Sequence, residues 1–317
     1  MHAGARARIW VVRDNAAVPR REVRPLRILL AADESPGAEQ ARDLLRTLRL
    51  PPGSEIRAIR VVDSAPGAVS LAGAASTELM RGALPSTEAG LAAFARSLRR
   101  EDLNVGSRVV TGRPGPGIVG EAERWPADLL LVGSRGRGPL TSAVLGSVAS
   151  EVVDRSTCPV IVARAARVSS IVLADDGSAD ASVAAQVVGS GLFAARVIVV
   201  SVAHVTAPFS SGVAPSMRAA AGEAQHEAIA EARDEHAAIA DRRVETLRGA
   251  GLEATARVRE GDPGDKILAA AEESGADLIA VGTRGRIGLG RLVLGSVAHK
   301  VLHRTKASVL IARSRTD

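Results

Sequence analysis

The chain has 317 residues, of which 46% are hydrophobic, with a formal net charge of +6, one cysteine and no tyrosine. This is enough apolar material for two globular domains, and a single cysteine excludes both a disulfide framework and a cysteine-rich zinc site. Aromatic residues make up 2%, too few for modules that stack nucleic-acid bases, and no stretch has the uninterrupted apolar length of a membrane span; a soluble, cytoplasmic protein is expected.

In chain order, residues 1–25 read as a basic arm. Residues 1–26 hold six arginines against Asp14 and Glu22, a net of 6 − 2 = +4, which leaves 6 − 4 = +2 for the remaining chain. That is no stripe of charge for nucleic acid, and the arm lacks the apolar centre of a secretory signal. From residue 26, strands are expected at Ile28–Ala32, Ile56–Val62, Ser107–Val110, Leu129–Val132 and Val160–Ala163, with helices at Ala38–Leu48 and Glu88–Arg99. A second series follows at Ile171–Ala174, Val197–Val202, Ala254–Val258, Leu278–Val281 and Val309–Ala312, with a long helix at Ala219–Arg248. Near-continuous apolar strands separated by helical patterns indicate β-α-β units and a parallel sheet covered on both faces.

The second series repeats the first. Residues 127–164, ADLLLVGSRGRGPLTSAVLGSVASEVVDRSTCPVIVAR, recur without a gap as 276–313, ADLIAVGTRGRIGLGRLVLGSVAHKVLHRTKASVLIAR, at an offset of 149. Upstream, LRILLAADESPGA (26–38) matches SSIVLADDGSADA (169–181) at an offset of 143. A period this long duplicates a whole domain. Two α/β domains are therefore expected, at 26–165 and 168–315, each a doubly wound, Rossmann-like five-stranded parallel sheet of order 3-2-1-4-5. The closing strands Val160–Ala163 and Val309–Ala312 would lie at sheet edges, and their apolar character predicts that they pair as an intrachain pseudo-dimer.

In such a sheet, ligands bind beyond the carboxyl ends of the strands. The residues there are Asp33 and Asp176 after the first strand of each copy, and a glycine loop after the fourth. The loop reads Gly133-x-x-Gly136, nine residues, Gly146-Ser147, and likewise Gly282-x-x-Gly285, nine residues, Gly295-Ser296. Glycines with positive φ can build a nest of backbone amides for a phosphate. Gly146-Ser147 opens a helix whose free amides and dipole face the same space, with Ser147 as cap or donor. Arg135 and Arg137, with Arg284 and Arg286, add positive charge. The plainer alternative is a pair of tight turns with solvated arginines, and Asp33 and Asp176 would then be helix N-caps. No phosphate-binding G-x-x-x-x-G-K-[ST], dinucleotide G-x-G-x-x-G or H-E-x-x-H motif is present, and His299 and His303, four apart on a helix, have no evident third metal ligand.

These motifs resemble those of the universal stress proteins with two tandem domains, over nearly all of the chain after the arm. The resemblance implies ATP, alone or with Mg2+, in each copy. Asp33 and Asp176 would lie at the adenine and ribose end, and Val61 and Val202, ending the second strands, would line the adenine pocket with backbone groups. Gly133, Gly136, Gly146 and Ser147, with Gly282, Gly285, Gly295 and Ser296, would hold ribose and phosphates. One departure is Glu34 where the second copy has Gly177, an extra acid expected to weaken the first site. The implied function is that of an ATP-binding stress-response regulator, with room for a further homodimer. A slow ATPase or phosphotransfer enzyme, and a structural stress protein with empty sites, are the alternatives. Neither glycine motif contains a general base, so no catalytic residue is assigned.

Overall fold

The structure, a computed structural model, describes residues 24–63, 84–136, 145–204, 215–283, 285 and 294–314, with side chains left undescribed at 215–225. Most of the basic arm, Arg137, Arg284 and Arg286 lie outside the described residues. The first half runs β1 (Arg27–Ala31), α1 (Pro36–Thr47), β2 (Glu55–Val62), α2 (84–96), β3 (Asn104–Thr111), α3 (Pro114–Arg124), β4 (Leu129–Gly133), α4 (Ser147–Arg155) and β5 (Val160–Ala163). The second runs β6 (Ser170–Ala174), α5 (Ala179–Gly189), β7 (Arg196–Ala203), α6 (Pro215–Gly249), β8 (Ala254–Glu260), α7 (Pro263–Ser274), β9 (Leu278–Gly282), α8 (Ser296–Arg304) and β10 (Ser308–Ala312).

All ten expected strands are present, β5 at the expected bounds and the other nine with shifted ends. Helix α1 starts at Pro36, not Ala38, because proline needs no partner for an amide in the first turn and Ser35 caps it by accepting from the Ala38 amide at 3.2 Å. Helix α2 ends at residue 96, short of Arg99; the Ser97 hydroxyl donates to the Phe94 carbonyl at 2.7 Å in the turn that follows. Strand β3 begins three residues before Ser107, since pairing with β2 recruits the polar Asn104 and small Gly106.

The strands form one sheet in the order β3-β2-β1-β4-β5-β10-β9-β6-β7-β8. Each half is parallel and in the order 3-2-1-4-5, and the halves meet where β5 and β10 pair antiparallel, Ile161 opposite Leu310. Those two residues are equivalents at the repeat offset, so a pseudo-twofold axis passes between them. Strand residues alternate between two cores. Ile28 and Leu30 pack with Leu44 and Leu45 of α1, and Leu29 packs with Ile118 of α3 and Val152 of α4. Both cores continue across the β5–β10 seam, through Ile161 and Leu310 on one face and Val162 and Val309 on the other. Helix α6 seats on the sheet by its C-terminal part, through Ile239, Ala240, Val244 and Leu247; no described side chain from 226 to 238 is buried.

Candidate functional site

Beyond the carboxyl ends of β1 and β4, the first half forms a cleft of about 320 Å³. Its floor is apolar, with Ala31, Ile59, Val61, Ile118 and Val132. Its polar rim brings together Asp33, Arg135, Gly136, Gly146 and Ser147, with Gly133 below them, so with Val61 seven of the residues singled out in the first copy line one space, and Arg137 lies outside the described residues. Neither aspartate caps a helix. Ser35 caps α1, and its amide donates to Asp33 Oδ1 at 3.2 Å; Ser178 caps α5, and its amide donates to Asp176 Oδ1 at 3.0 Å. The aspartates thus close the same short turn in both copies.

The glycines are required for a different reason than the one expected. None of Gly133, Gly136 and Gly146 has a left-handed φ. Instead, the first turn of α1 lies directly on the end of β4: a Cβ at Gly133 would sit 2.3 Å from the Gly37 carbonyl carbon, and one at Gly37 would sit 2.2 Å from the Arg135 oxygen. A Cβ at Gly136 would come within 3.0 Å of Asp33 Oδ2, and one at Gly285 within 2.9 Å of Asp176 Oδ2. Aspartate and glycine loop therefore meet face to face in both halves. The loops close alike, the Gly146 amide donating to Ser134 O at 2.8 Å and the Gly295 amide to Thr283 O at 2.7 Å. Gly146 and Gly295 are the N-caps of α4 and α8 and leave both helices without a side-chain cap, so Ser147 and Ser296 are first helical residues and not caps. Gly282 ends β9 and Val202 lies near the end of β7, 8% exposed. Arg284 falls outside the described residues.

Besides Glu34, several polar residues that composition and motif did not single out brace these turns. Glu34 is the one non-glycine with positive φ among the described residues, at 61°, where Gly177 has 80°. Its carboxylate pairs with Arg60, a buried guanidinium that also donates to the Ala32 carbonyl, so the acid expected to oppose a polyphosphate is already matched by a cation. The second half inverts the arrangement. Buried Asp175, in the place of Ala32, accepts from the Gly177 amide at 2.9 Å and from Arg243 of α6, while Ser201, in the place of Arg60, donates to the Asp175 carbonyl and meets His236 Nδ1 at 2.7 Å. Asp180, where the first half has Gly37, is 3% exposed and accepts from the Thr283 hydroxyl and from the amide and hydroxyl of Ser314. The signal for these residues lay in the differences between the aligned copies.

The helix pair behind each loop is bridged with reversed polarity. Arg113 reaches Glu151 at 3.7 Å between α3 and α4, whereas Lys300 of α8 meets Asp262 at 2.8 Å and Asp265 at 2.7 Å at the start of α7. The hydrogen bond from Lys300 holds the Asp262 carboxyl below its usual range and raises the lysine. Gly115 and Gly264 make room: a Cβ at either would fall within 2.5 Å of the Glu151 or Lys300 side chain. On α8, the His299 and His303 rings lie 4.2 Å apart. Burial first, then His299 and Arg164, push His303 below the ordinary 6.5, opposed by Asp154. Among the described residues, no three His, Cys, Asp or Glu side chains form a metal site, and no helix is long and apolar enough to cross a membrane.

Known proteins resemble this chain in sequence and in fold. The model of the universal stress protein family matches residues 26–164 and again 168–313. A universal stress protein of Mycobacterium tuberculosis is 29% identical over 219 residues, spanning 67% of this chain and 70% of its own. The crystal structure of a universal stress protein from Archaeoglobus fulgidus superposes with a TM-score of 0.61 at 20% identity, covering 90% of this chain and 98% of that one, which is a likeness of fold. A universal stress protein solved in complex with cAMP aligns at 23% identity over 46% of this chain and 97% of its own, with a TM-score of 0.34. With the family's model matched twice, over both halves of one sheet, the chain belongs to the universal stress protein family.

Proposed function

We propose that the chain is an ATP-binding regulator of the stress response, with one nucleotide site in each of two domains, 26–165 and 168–315, acting in the cytoplasm as an intrachain pseudo-dimer. One observation carries this reading: aspartate and glycine loop face each other in both halves, and in the first they rim a cleft with an apolar floor and a polar edge, the usual composition of a small-ligand site. The apolar floor at Ile59, Val61 and Ile118 suits a base. The helix start at Gly146 and Ser147, with the Arg135 guanidinium, suits phosphates, because amides without a side-chain cap and the positive end of the helix dipole favour an anion. Any Mg2+ would arrive bound to the phosphates.

Calorimetry on nucleotide-free protein tests the reading, with two ATP per chain expected. At 100 times the dissociation constant, ATP should stabilise each site-bearing half by about 2.7 kcal/mol, a visible rise in melting temperature. A flat melting curve in millimolar ATP and magnesium would favour a structural protein with empty sites. Steady phosphate release abolished by Gly136→Val and Gly285→Val together would favour a slow ATPase.

A further inference from the structure

Two arginines hold the halves together in a crossed manner. Arg164 follows β5 of the first half, yet its Nη2 donates to the Leu302 carbonyl at 2.7 Å and its Nη1 to the Ala307 carbonyl at 3.3 Å, both in the second half. Arg313 follows β10 of the second half, and its Nη2 reaches the Asp154 carbonyl at 3.3 Å and its Nη1 the Ser156 carbonyl at 3.4 Å, both in the first. The two are equivalents at the 149-residue offset, exchanged across the pseudo-twofold axis at Ile161 and Leu310.

Three of the four gripped carbonyls, those of Asp154, Ser156 and Leu302, sit at the C-termini of α4 and α8, and that of Ala307 lies just before β10. Leu302 and Asp154 are in last turns, whose carbonyls have no acceptor role left within the helix, and a cation there also matches the negative end of the dipole. The N-termini of these two helices carry Gly146-Ser147 and Gly295-Ser296. Each helix is nine residues long, one rigid unit of about 13 Å. Its position at one end is therefore set by what holds the other. Taking the glycine clefts as nucleotide sites, as above, we infer that Arg313 is a positioning residue for the first site and Arg164 for the second, so that each half completes the other's site.

Two further facts agree. Arg164 is fastened from its own backbone, its amide donating to the buried Ser308 hydroxyl at 3.0 Å, so its reach across the seam is braced at both ends. Burial, and then the charge of Arg135 in the first cleft, lower its pKa to about 10. It is a cation kept between the halves at a cost, which is the condition in which its carbonyl partners matter most.

Hydrogen–deuterium exchange on the full, nucleotide-free chain tests the crossing directly. Arg313→Ala should speed exchange in residues 147–155 by about fivefold and leave 296–304 unchanged, and Arg164→Ala should do the reverse. With the second site silenced by Gly285→Val, Arg313→Ala should also weaken ATP at the first site by about fivefold. Should an alanine variant not fold, Arg313→Lys, which keeps the charge and loses the fork of donors, should give a smaller effect on the same helix. Exchange that rises in the helix of the arginine's own half, or equally in both, overturns the inference. Crossed exchange in a chain that binds no ATP would keep the crossed anchors and overturn the nucleotide reading instead.

Discussion

The contact between β4 and α1 lends itself to a graded test. Alanine at Gly133 would place its Cβ 2.3 Å from the Gly37 carbonyl carbon and 2.5 Å from its oxygen, about 1 Å inside the 3.4 Å at which ordinary contact begins, and both atoms are backbone. Neither element can yield cheaply, because β4 is held in register by β1 and β5 and α1 is packed through Leu44 and Leu45. Overpacking of this kind costs about 3 kcal/mol, a fall of roughly 6–12 °C in melting temperature for a unit of this size. Alanine at Gly282 would meet Asp180 and the Ala181 amide at 2.8 Å, and should cost about half as much. Alanine at Gly146 would meet its neighbours at 3.4 Å with a φ of −68° that any residue adopts, and should cost under about 1 kcal/mol. Differential scanning calorimetry of the three variants should rank them in that order, with Gly37→Ala as severe as Gly133→Ala. A Gly133→Ala protein that melts with Gly146→Ala would refute the close approach as the reason for glycine.

Other outcomes can be checked independently. Gly285→Val should remove one of two bound ATP and Gly136→Val the other, since each branched side chain would press on the facing aspartate; a double variant that folds and keeps two ATP by calorimetry would make these glycines turn formers only. Asp180→Ala leaves the Thr283 hydroxyl and the Ser314 amide and hydroxyl without their acceptor, and should destabilise the second half by ~3 kcal/mol in urea denaturation, against no effect if the site is wet. Because His303 has a folded pKa below the ordinary 6.5, the unfolded chain takes up that proton first; stability should fall as pH drops from 6.5 toward the lowered value, and His303→Gln should flatten that slope in denaturant titrations at pH 7.5 and 5.5.

How much of this was legible in the sequence depended on the range of the interactions. Buried strands such as Leu129–Gly133 and Ile161 with its neighbours read as continuous apolar runs, and duplication made the glycine loops stand out. Strand β3 was only half visible because it is an edge strand whose first residues are mostly exposed, Val105 alone being half-buried, and which pairs on one side only. The reason for the loop glycines was not legible, since a close approach by α1 from nearly a hundred residues away leaves no local trace. Asp175, Asp180, Arg60 and Arg243 were missed for the same cause: each is one polar residue whose partner arrives with another element. Arg164 and Arg313 could have been noticed, as they stand at matching places in the repeated segment, although nothing local says that each reaches into the other copy.

The reversed bridges behind the loops bear on how a duplicated chain avoids assembling with itself wrongly. Two halves with the same order of elements present a folding chain with competing choices, α3 of one copy against α8 of the other among them. With Arg113–Glu151 in one half and Asp262–Lys300 in the other, the wrong choice would set Arg113 against Lys300 and Asp262 against Glu151, like charge against like in both exchanged pairs. Each bridge is weak in the finished fold, exposed as it is, but its polarity disfavours the exchanged pairing of helices. Giving both halves the same polarity, by exchanging Arg113 and Glu151 for Asp and Lys, should leave the folded protein nearly as stable while lowering its yield of correctly paired monomer on refolding.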